Sequence, residues 1–263
     1  MRTDMFSLEG RVALVTGGSR GIGKMIAEGF LLHGCKRVYI SARKAGACDA
    51  TAAELTALGI GECISLPIDV STVEGCRTLA EEIAKREDGK LDILVNNAGA
   101  AWLAPFDDFP EGGWDKVMNL NVKSPFYLTQ ALHGALKAAG TFDKPSKVIN
   151  IASIDGQRPN PQETYSYHAS KAALIHLTRR LAATLIADNI VMTAICPGAF
   201  PSDMNTTARD HGAEIAKRIP FARIGEPEDM AGPAIFLASR AGDYVVGTTL
   251  TVDGGIVASG LGV

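Results

Sequence analysis

The chain has 263 residues, 46% of them hydrophobic and 21% charged, with a formal net charge of -3. That balance suits a globular protein with a large core and offers no electrostatic footprint for nucleic acid or an anionic membrane. No apolar run approaches the ~20 residues that cross a bilayer, Met1–Gly10 lacks a signal-peptide stretch, and the scattered cysteines form no C-x-x-C. We therefore expect core thiols in a reducing cytoplasm, with neither a disulfide framework nor a metal site.

Apolar, β-branched runs alternate with longer amphipathic segments. Arg11–Thr16 reads as a strand, followed by a glycine-rich turn and a helix to about His33. Arg37–Ala42 is a second strand and Ala45–Leu58 a helix; Cys63–Pro67 is a third strand and Thr72–Arg86 a helix. Leu91–Asn96 is a fourth strand, with a long helical region through Trp114–Ala139. Lys147–Ala152 is a fifth strand, and the helix that carries Tyr167 runs on to about Asp188. Ile190–Cys196 is a sixth strand, Pro227–Ala238 a helix, and Thr248–Val252 a last strand. Near-continuous apolar strands separated by helices predict an α/β fold, a parallel sheet covered on both faces. No repeat or linker divides residues 1–263, so a single domain is expected. Gly198–Pro220 interrupts the rhythm after Pro197, and an irregular insertion of that length reads as a lid over a site.

Two stretches carry chemistry. The first strand ends in Thr16-Gly17-Gly18-Ser19-Arg20-Gly21-Ile22-Gly23. Glycines after a strand and before a helix let the backbone approach a ligand, and the helix N-terminus presents free N–H groups to a pyrophosphate. An NAD-type site places an acid about 20 residues further on. Here the second strand ends in Ser41-Ala42-Arg43-Lys44, so Arg43, helped by Arg20, points to the 2′-phosphate of NADP(H). The second stretch is Thr164–Leu174. Tyr167 and Lys171 share one helix face there, and an ammonium beside a phenol favours the phenolate. That pair predicts a proton donor and acceptor working near neutral pH. Tyr165 has Ala169 where a lysine would be needed, and His168 points elsewhere on the helix.

Together these parts resemble the short-chain dehydrogenase/reductase family, through the turn Thr16–Gly23, Asp69-Val70, the N-N-A-G run Asn96–Gly99, Asn121, Ser153, the Tyr167/Lys171 pair and Pro197-Gly198. Within the family the chain is similar to the NADPH-dependent 3-oxoacyl (beta-ketoacyl) reductases of the rhamnolipid-synthesis type, in Phe6–Gly23, Ala42-Arg43 and Pro197–Ser202. The resemblance implies a Rossmann-type doubly wound sheet of about seven strands in the order 3-2-1-4-5-6-7, commonly in a homotetramer. It implies that Ser153 polarises a substrate carbonyl, Tyr167 donates the proton, and Lys171 tunes Tyr167 and holds the nicotinamide ribose. It also implies that Asn121 holds a water linking Lys171 to solvent. Cofactor contacts are implied for Gly17, Ser19, Arg20, Gly21, Ile22, Gly23, Arg43, Asp69, Val70, Asn96, Ala98, Gly99, Pro197, Gly198 and Ser202. The loop Ile154–Glu163, longer than is common in the family, borders the substrate. Trp102, Phe106, Arg158, Phe200 and Met204 fall in loops expected to surround the carbonyl.

The expected activity is NADPH-dependent reduction of a ketone, a 3-oxoacyl thioester or related small carbonyl compound, with no membrane or nucleic-acid partner. Ala187-Asp188-Asn189 puts an acid where carrier-protein reductases can place an arginine, which leaves a free ketone open. The alternatives are an NAD(P)-dependent alcohol or sugar dehydrogenase acting oxidatively, and a non-catalytic NADP(H)-binding regulatory protein.

Overall fold

The alternation resolves into seven strands. In a computed structural model that describes residues 4–202 and 210–259, these are β1 (Val12–Thr16), β2 (Arg37–Ser41), β3 (Glu62–Leu66), β4 (Ile93–Asn96), β5 (Ser146–Ile151), β6 (Ile190–Pro197) and β7 (Thr249–Val252). They form one sheet in the order β3-β2-β1-β4-β5-β6-β7, and every pairing is parallel. Successive side chains leave a strand on opposite faces. Ala13, Val15, Val38, Ile40, Ile93, Val95 and Ile149 accordingly enter one core. Leu14, Tyr39, Leu94, Val148 and Met192 enter the other. Burial on both faces is why these strands read as continuous apolar runs.

The helices are α1 (Gly21–Leu32), α2 (Ala45–Thr56), α3 (Val73–Arg86), α4 (Glu111–Met118), α5 (Ser124–Ala131), α6 (His133–Ala139) and α7 (Tyr165–Leu185), with further helices at Gly212–Ala216 and Pro227–Ala238. None of the described helices is long and apolar enough to cross a membrane. The expected continuous helical region at Trp114–Ala139 is corrected. It starts at Glu111, opens into a π turn at Asn119–Lys123 and breaks again at Leu132. Pro125 has no N–H to give the carbonyl four residues before it, that of Asn121. The Asn121 side chain is also drawn sideways, and π turns form where a regular ladder is interrupted in this way. α7 closes through a 3₁₀ turn at Ile186–Asp188, with Asn189 left-handed at φ 56, a conformation that asparagine tolerates.

The strand order reverses between β1 and β4, and a crevice forms there beyond the carboxyl ends of a parallel sheet. At the opposite edge, where the strands start, lie the Lys147–Asp243 ion pair at 2.6 Å and the bond from Arg11 Nη1 to the Pro145 carbonyl at 2.9 Å.

Candidate active site

A cleft of about 820 Å³ lies over the carboxyl ends of the strands. Its floor begins at the glycine turn. Gly21 has φ +52, and a Cβ on Gly23 would come within 2.3 Å of the Gly17 carbonyl oxygen, so the turn closes only with glycine there. Asn97 braces it: Nδ2 donates to the carbonyls of Thr16 at 2.8 Å and Gly17 at 3.2 Å. Thr16 Oγ1 accepts from the N–H groups of Asn97 and Ala98, both at 3.0 Å, which ties the end of β1 to the end of β4. Ser19, Arg20, Gly21, Ile22 and Gly23 line the cleft at the start of α1, where the unpaired N–H groups of a helix favour an anion. Arg43 and Lys44 line it at the end of β2, while the acids that line the cleft, Asp69 and Asp155, follow β3 and β5. A glycine-lined helix N-terminus with cations beyond it fits a dinucleotide carrying a 2′-phosphate.

Ser153, Tyr167 and Lys171 meet on the same wall. Ser153 leaves the end of β5, and its Oγ accepts from the Asp155 N–H at 3.1 Å. Lys171 Nζ lies 5.5 Å from the centre of the Tyr167 ring and donates to the Ile151 carbonyl at 2.8 Å. Burial pushes the Tyr167 phenol above its ordinary value, opposed by its hydrogen bond with Ser153, while the carboxylate of Asp155 pushes it further up. Burial pulls the Lys171 ammonium down to about 8, opposed by Cys196 and Asp155. The expectation that the lysine lowers the phenol's pKa is therefore not met in the protein alone: desolvation outweighs the pairing. Tyr165 lies outside the cleft, stacked edge-on against Phe106 and Phe109, each at 5.7 Å.

Most of the expected residues come together. Gly17, Ser19, Arg20, Gly21, Ile22, Gly23, Arg43, Asp69, Val70, Ala98, Gly99, Pro197, Gly198 and Ser202 all line the cleft. Two expectations need correction, and the one for Asn121 is narrowed. Asn96, the last residue of β4, points into the core, where its Nδ2 donates to Asn150 Oδ1 at 2.8 Å and Thr129 Oγ1 at 3.2 Å; Asn97 occupies the cleft instead. Asn121 is buried, and its amide is committed to the Ala100 backbone and Ser170 Oγ. Any water relay through this residue therefore needs its backbone carbonyl. Trp102 packs over Gly113, whose Cβ would lie 2.7 Å from the indole ring, and Phe106 is 73% exposed, so neither faces the carbonyl. Arg158 and Phe200 do line the cleft, and Met204 lies outside the described residues. The loop Ile154–Glu163 borders the cleft as expected, through Asp155, Arg158, Asn160 and Gln162 among others; which of its residues face the cleft had no signal beyond membership of that loop.

Comparison with known proteins agrees with this geometry. The model of the family described as enoyl-(acyl carrier protein) reductase matches residues 17–257. The rhamnolipids biosynthesis 3-oxoacyl-(acyl-carrier-protein) reductase of Pseudomonas aeruginosa is 47% identical over 253 residues, spanning 95% of this chain and 97% of that protein. The 2-dehydro-3-deoxy-D-gluconate 5-dehydrogenase of Dickeya dadantii is 40% identical over 261 residues, 98% of this chain and 100% of its own. The solved Pseudomonas aeruginosa RhlG/NADP active-site complex superposes with a TM-score of 0.92 at 44% identity, covering 97% of this chain and 100% of that one.

Proposed function

This chain belongs to the short-chain dehydrogenase/reductase family, and on that basis we propose that it reduces a ketone, a 3-oxoacyl thioester or related small carbonyl compound, to a secondary alcohol with NADPH. The observation that carries this reading is the convergence of Ser153, Tyr167 and Lys171 on a cleft whose far end carries Arg43. The hydride comes from NADPH, and the protein supplies position and charge. The glycine turn and the start of α1 would hold the pyrophosphate, Arg43 and Arg20 the 2′-phosphate, and Asp69 and Val70 the adenine. Lys171 would hold the nicotinamide ribose, and Pro197, Gly198 and Ser202 the carboxamide. Ser153 donates to the substrate oxygen and polarises the carbonyl. Tyr167 gives that oxygen its proton. Lys171 then restores the Tyr167 proton, and a water on the Asn121 carbonyl replenishes Lys171.

The lid expected at residues 198–220 is supported by its described part, where Ile215, Arg218 and Ile219 line the cleft, while residues 203–209 of it lie outside the described residues. The whole chain is one catalytic domain, acting in the cytoplasm as a homotetramer; size-exclusion chromatography with light scattering tests the assembly. Asp188 does not argue against a carrier-bound substrate, because Lys137 Nζ at 2.6 Å and His133 Nε2 at 2.9 Å occupy its carboxylate. Oxidation of a sugar or alcohol is the second reading, favoured by the polar wall of Asp155, Asn160 and Gln162 and by the Dickeya dadantii relative.

Absorbance at the NADPH band, with a 3-oxoacyl thioester, free ketones and oxo sugar acids in parallel, tests the reading. Tyr167→Phe should lower turnover by about 10²–10⁴-fold and leave NADPH binding intact; unchanged turnover overturns the mechanism. Arg43→Ala should weaken NADPH about 10–100-fold and NADH little. Equal effects on both would remove the cofactor argument. NADPH binding without turnover of any carbonyl or alcohol would favour a binding protein.

A further inference from the structure

Apart from one 3₁₀ turn at Ile154–Gly156, the wall between Ser153 and Tyr167 is irregular, yet a continuous run of hydrogen bonds holds it. Gly156 lies flat on α7: a Cβ there would sit 2.6 Å from the Lys171 carbonyl carbon. The Asp155 N–H donates to Ser153 Oγ at 3.1 Å, and its Oδ1 accepts from Asn160 Nδ2 at 2.8 Å. The Asn160 N–H donates to His168 Nε2 at 3.3 Å, and its Oδ1 accepts from the Gln162 N–H at 2.8 Å. His168 Nδ1 faces the Thr164 carbonyl at 3.0 Å. With Nε2 accepting from Asn160 and Nδ1 beside the Thr164 carbonyl and hydroxyl, the ring ties the wall to the start of α7. His168 follows Tyr167 directly, but it is turned away from the reacting centre and toward the wall.

We propose that His168, Asn160 and Asp155 are positioning residues: they pin the substrate wall to the catalytic helix, so that the group attached to the carbonyl is held in register with Ser153 and Tyr167. This rests on the carbonyl-reductase reading. Asn160 and Asp155 border the cleft, while His168 acts only through Asn160. The pin uses both the side chain and the backbone N–H of Asn160, so the wall keeps one conformation without regular secondary structure. A wall held in advance lowers the ordering cost of binding, and the substrate pose it fixes is what makes attack efficient.

The test compares His168→Ala, Asn160→Ala, the double variant and His168→Gln, which keeps an acceptor near the Nε2 position. Each alanine variant should raise KM for the carbonyl substrate about tenfold, as expected for loss of a partly buried hydrogen bond, with NADPH affinity unchanged and kcat moved no more than about threefold. The double variant should lose little more than either single one, since His168→Ala removes the acceptor of the Asn160 N–H and Asn160→Ala removes the side-chain bonds to Asp155 and Gln162, successive links of one chain of which either cut releases the wall, and His168→Gln should recover most of the loss of His168→Ala. Hydrogen exchange on the protein without substrate should show faster exchange at the amides of Asn160 and Gln162 in the alanine variants. Unchanged exchange overturns the pin. Faster exchange with unchanged KM, or fully additive losses, overturns the orienting role. Wild-type protein that turns over no carbonyl compound would sink the functional reading and the orienting role together, whereas the exchange result judges the pin independently.

Discussion

β5 has a buried lysine at each end. Lys147 sits at its start, 1% exposed, and Lys171 reaches from α7 to its finish, 4% exposed. Burial pulls both ammonium groups down to about 8. Their partners differ. Lys147 Nζ lies 2.6 Å from Asp243 Oδ1, a carboxylate also held by Arg240 at 2.5 Å. Among the described residues Lys171 has no such countercharge: it donates to the Ile151 carbonyl and faces the Tyr167 ring. A carboxylate in contact holds a proton in place and uses the ammonium's donors. A carbonyl leaves donors for a ribose and a proton that can move. The same residue type at equal burial is therefore paired with a carboxylate at one edge of the sheet and left without one at the other, which is the difference the proposed role of Lys171 requires.

The sharpest test substitutes each lysine separately. Lys171→Met should cut turnover by about 10²–10⁴-fold without lowering Tm, because it removes a desolvated charge that has no paired anion to strand. Steady-state kinetics beside a melting curve checks both halves, and a large fall in Tm would mean that Lys171 is structural too. Lys147→Met should do the reverse. Turnover per folded molecule stays the same, while stability falls by roughly 3 kcal/mol because Asp243 loses a contact in a dry site. For a domain of this size that is a drop of roughly 6–12 °C in Tm. Lost turnover with unchanged stability would abolish the contrast.

The two lysines were unequally legible in the sequence. Lys171 announces itself because its partner Tyr167 is on the same helix, one turn away. Lys147 stands at the head of an apolar strand with nothing near it in the sequence to single it out, since its partner Asp243 is brought beside it only by folding. The same rule covers the rest. The glycine turn and Arg43 are local, and the structure has them where the residues suggested; the strand order, which only the family resemblance implied, is the order found. Asn96 and Asn97 exchange parts because one residue along a strand reverses the face, and pairing with Asn150 across β4 and β5 decides which amide is buried. Trp102 was misplaced because a contact with Gly113, not loop position, decides its direction. The wall pinned by His168 depends on a chain of hydrogen bonds between residues whose types, taken singly, suggest only a polar loop.

The smallest effect separates the lysines by their protons. The folded-state pKa of Lys147, about 8, lies below that of a free lysine, about 10.4. Between those values the unfolded chain carries a proton that the folded one has lost, so this group's contribution to stability rises with pH. Below about 8 the penalty is present in full. Buried thiols oppose the trend, since Cys35 and Cys63 are pushed up to about 12 by burial, and unfolding releases their protons at lower pH. The wild-type curve alone therefore mixes two signs. The difference between wild type and Lys147→Met isolates the lysine, because the thiols and Lys171 are common to both. Urea midpoints under reducing conditions, from pH 7 to 10, should show a constant gap up to about 8. Above it the gap should widen in favour of wild type, by at most about 1.4 kcal/mol per pH unit. Parallel curves throughout would mean that Asp243 holds the Lys147 proton as firmly as water does, and that a contact carboxylate fully offsets burial at this edge of the sheet.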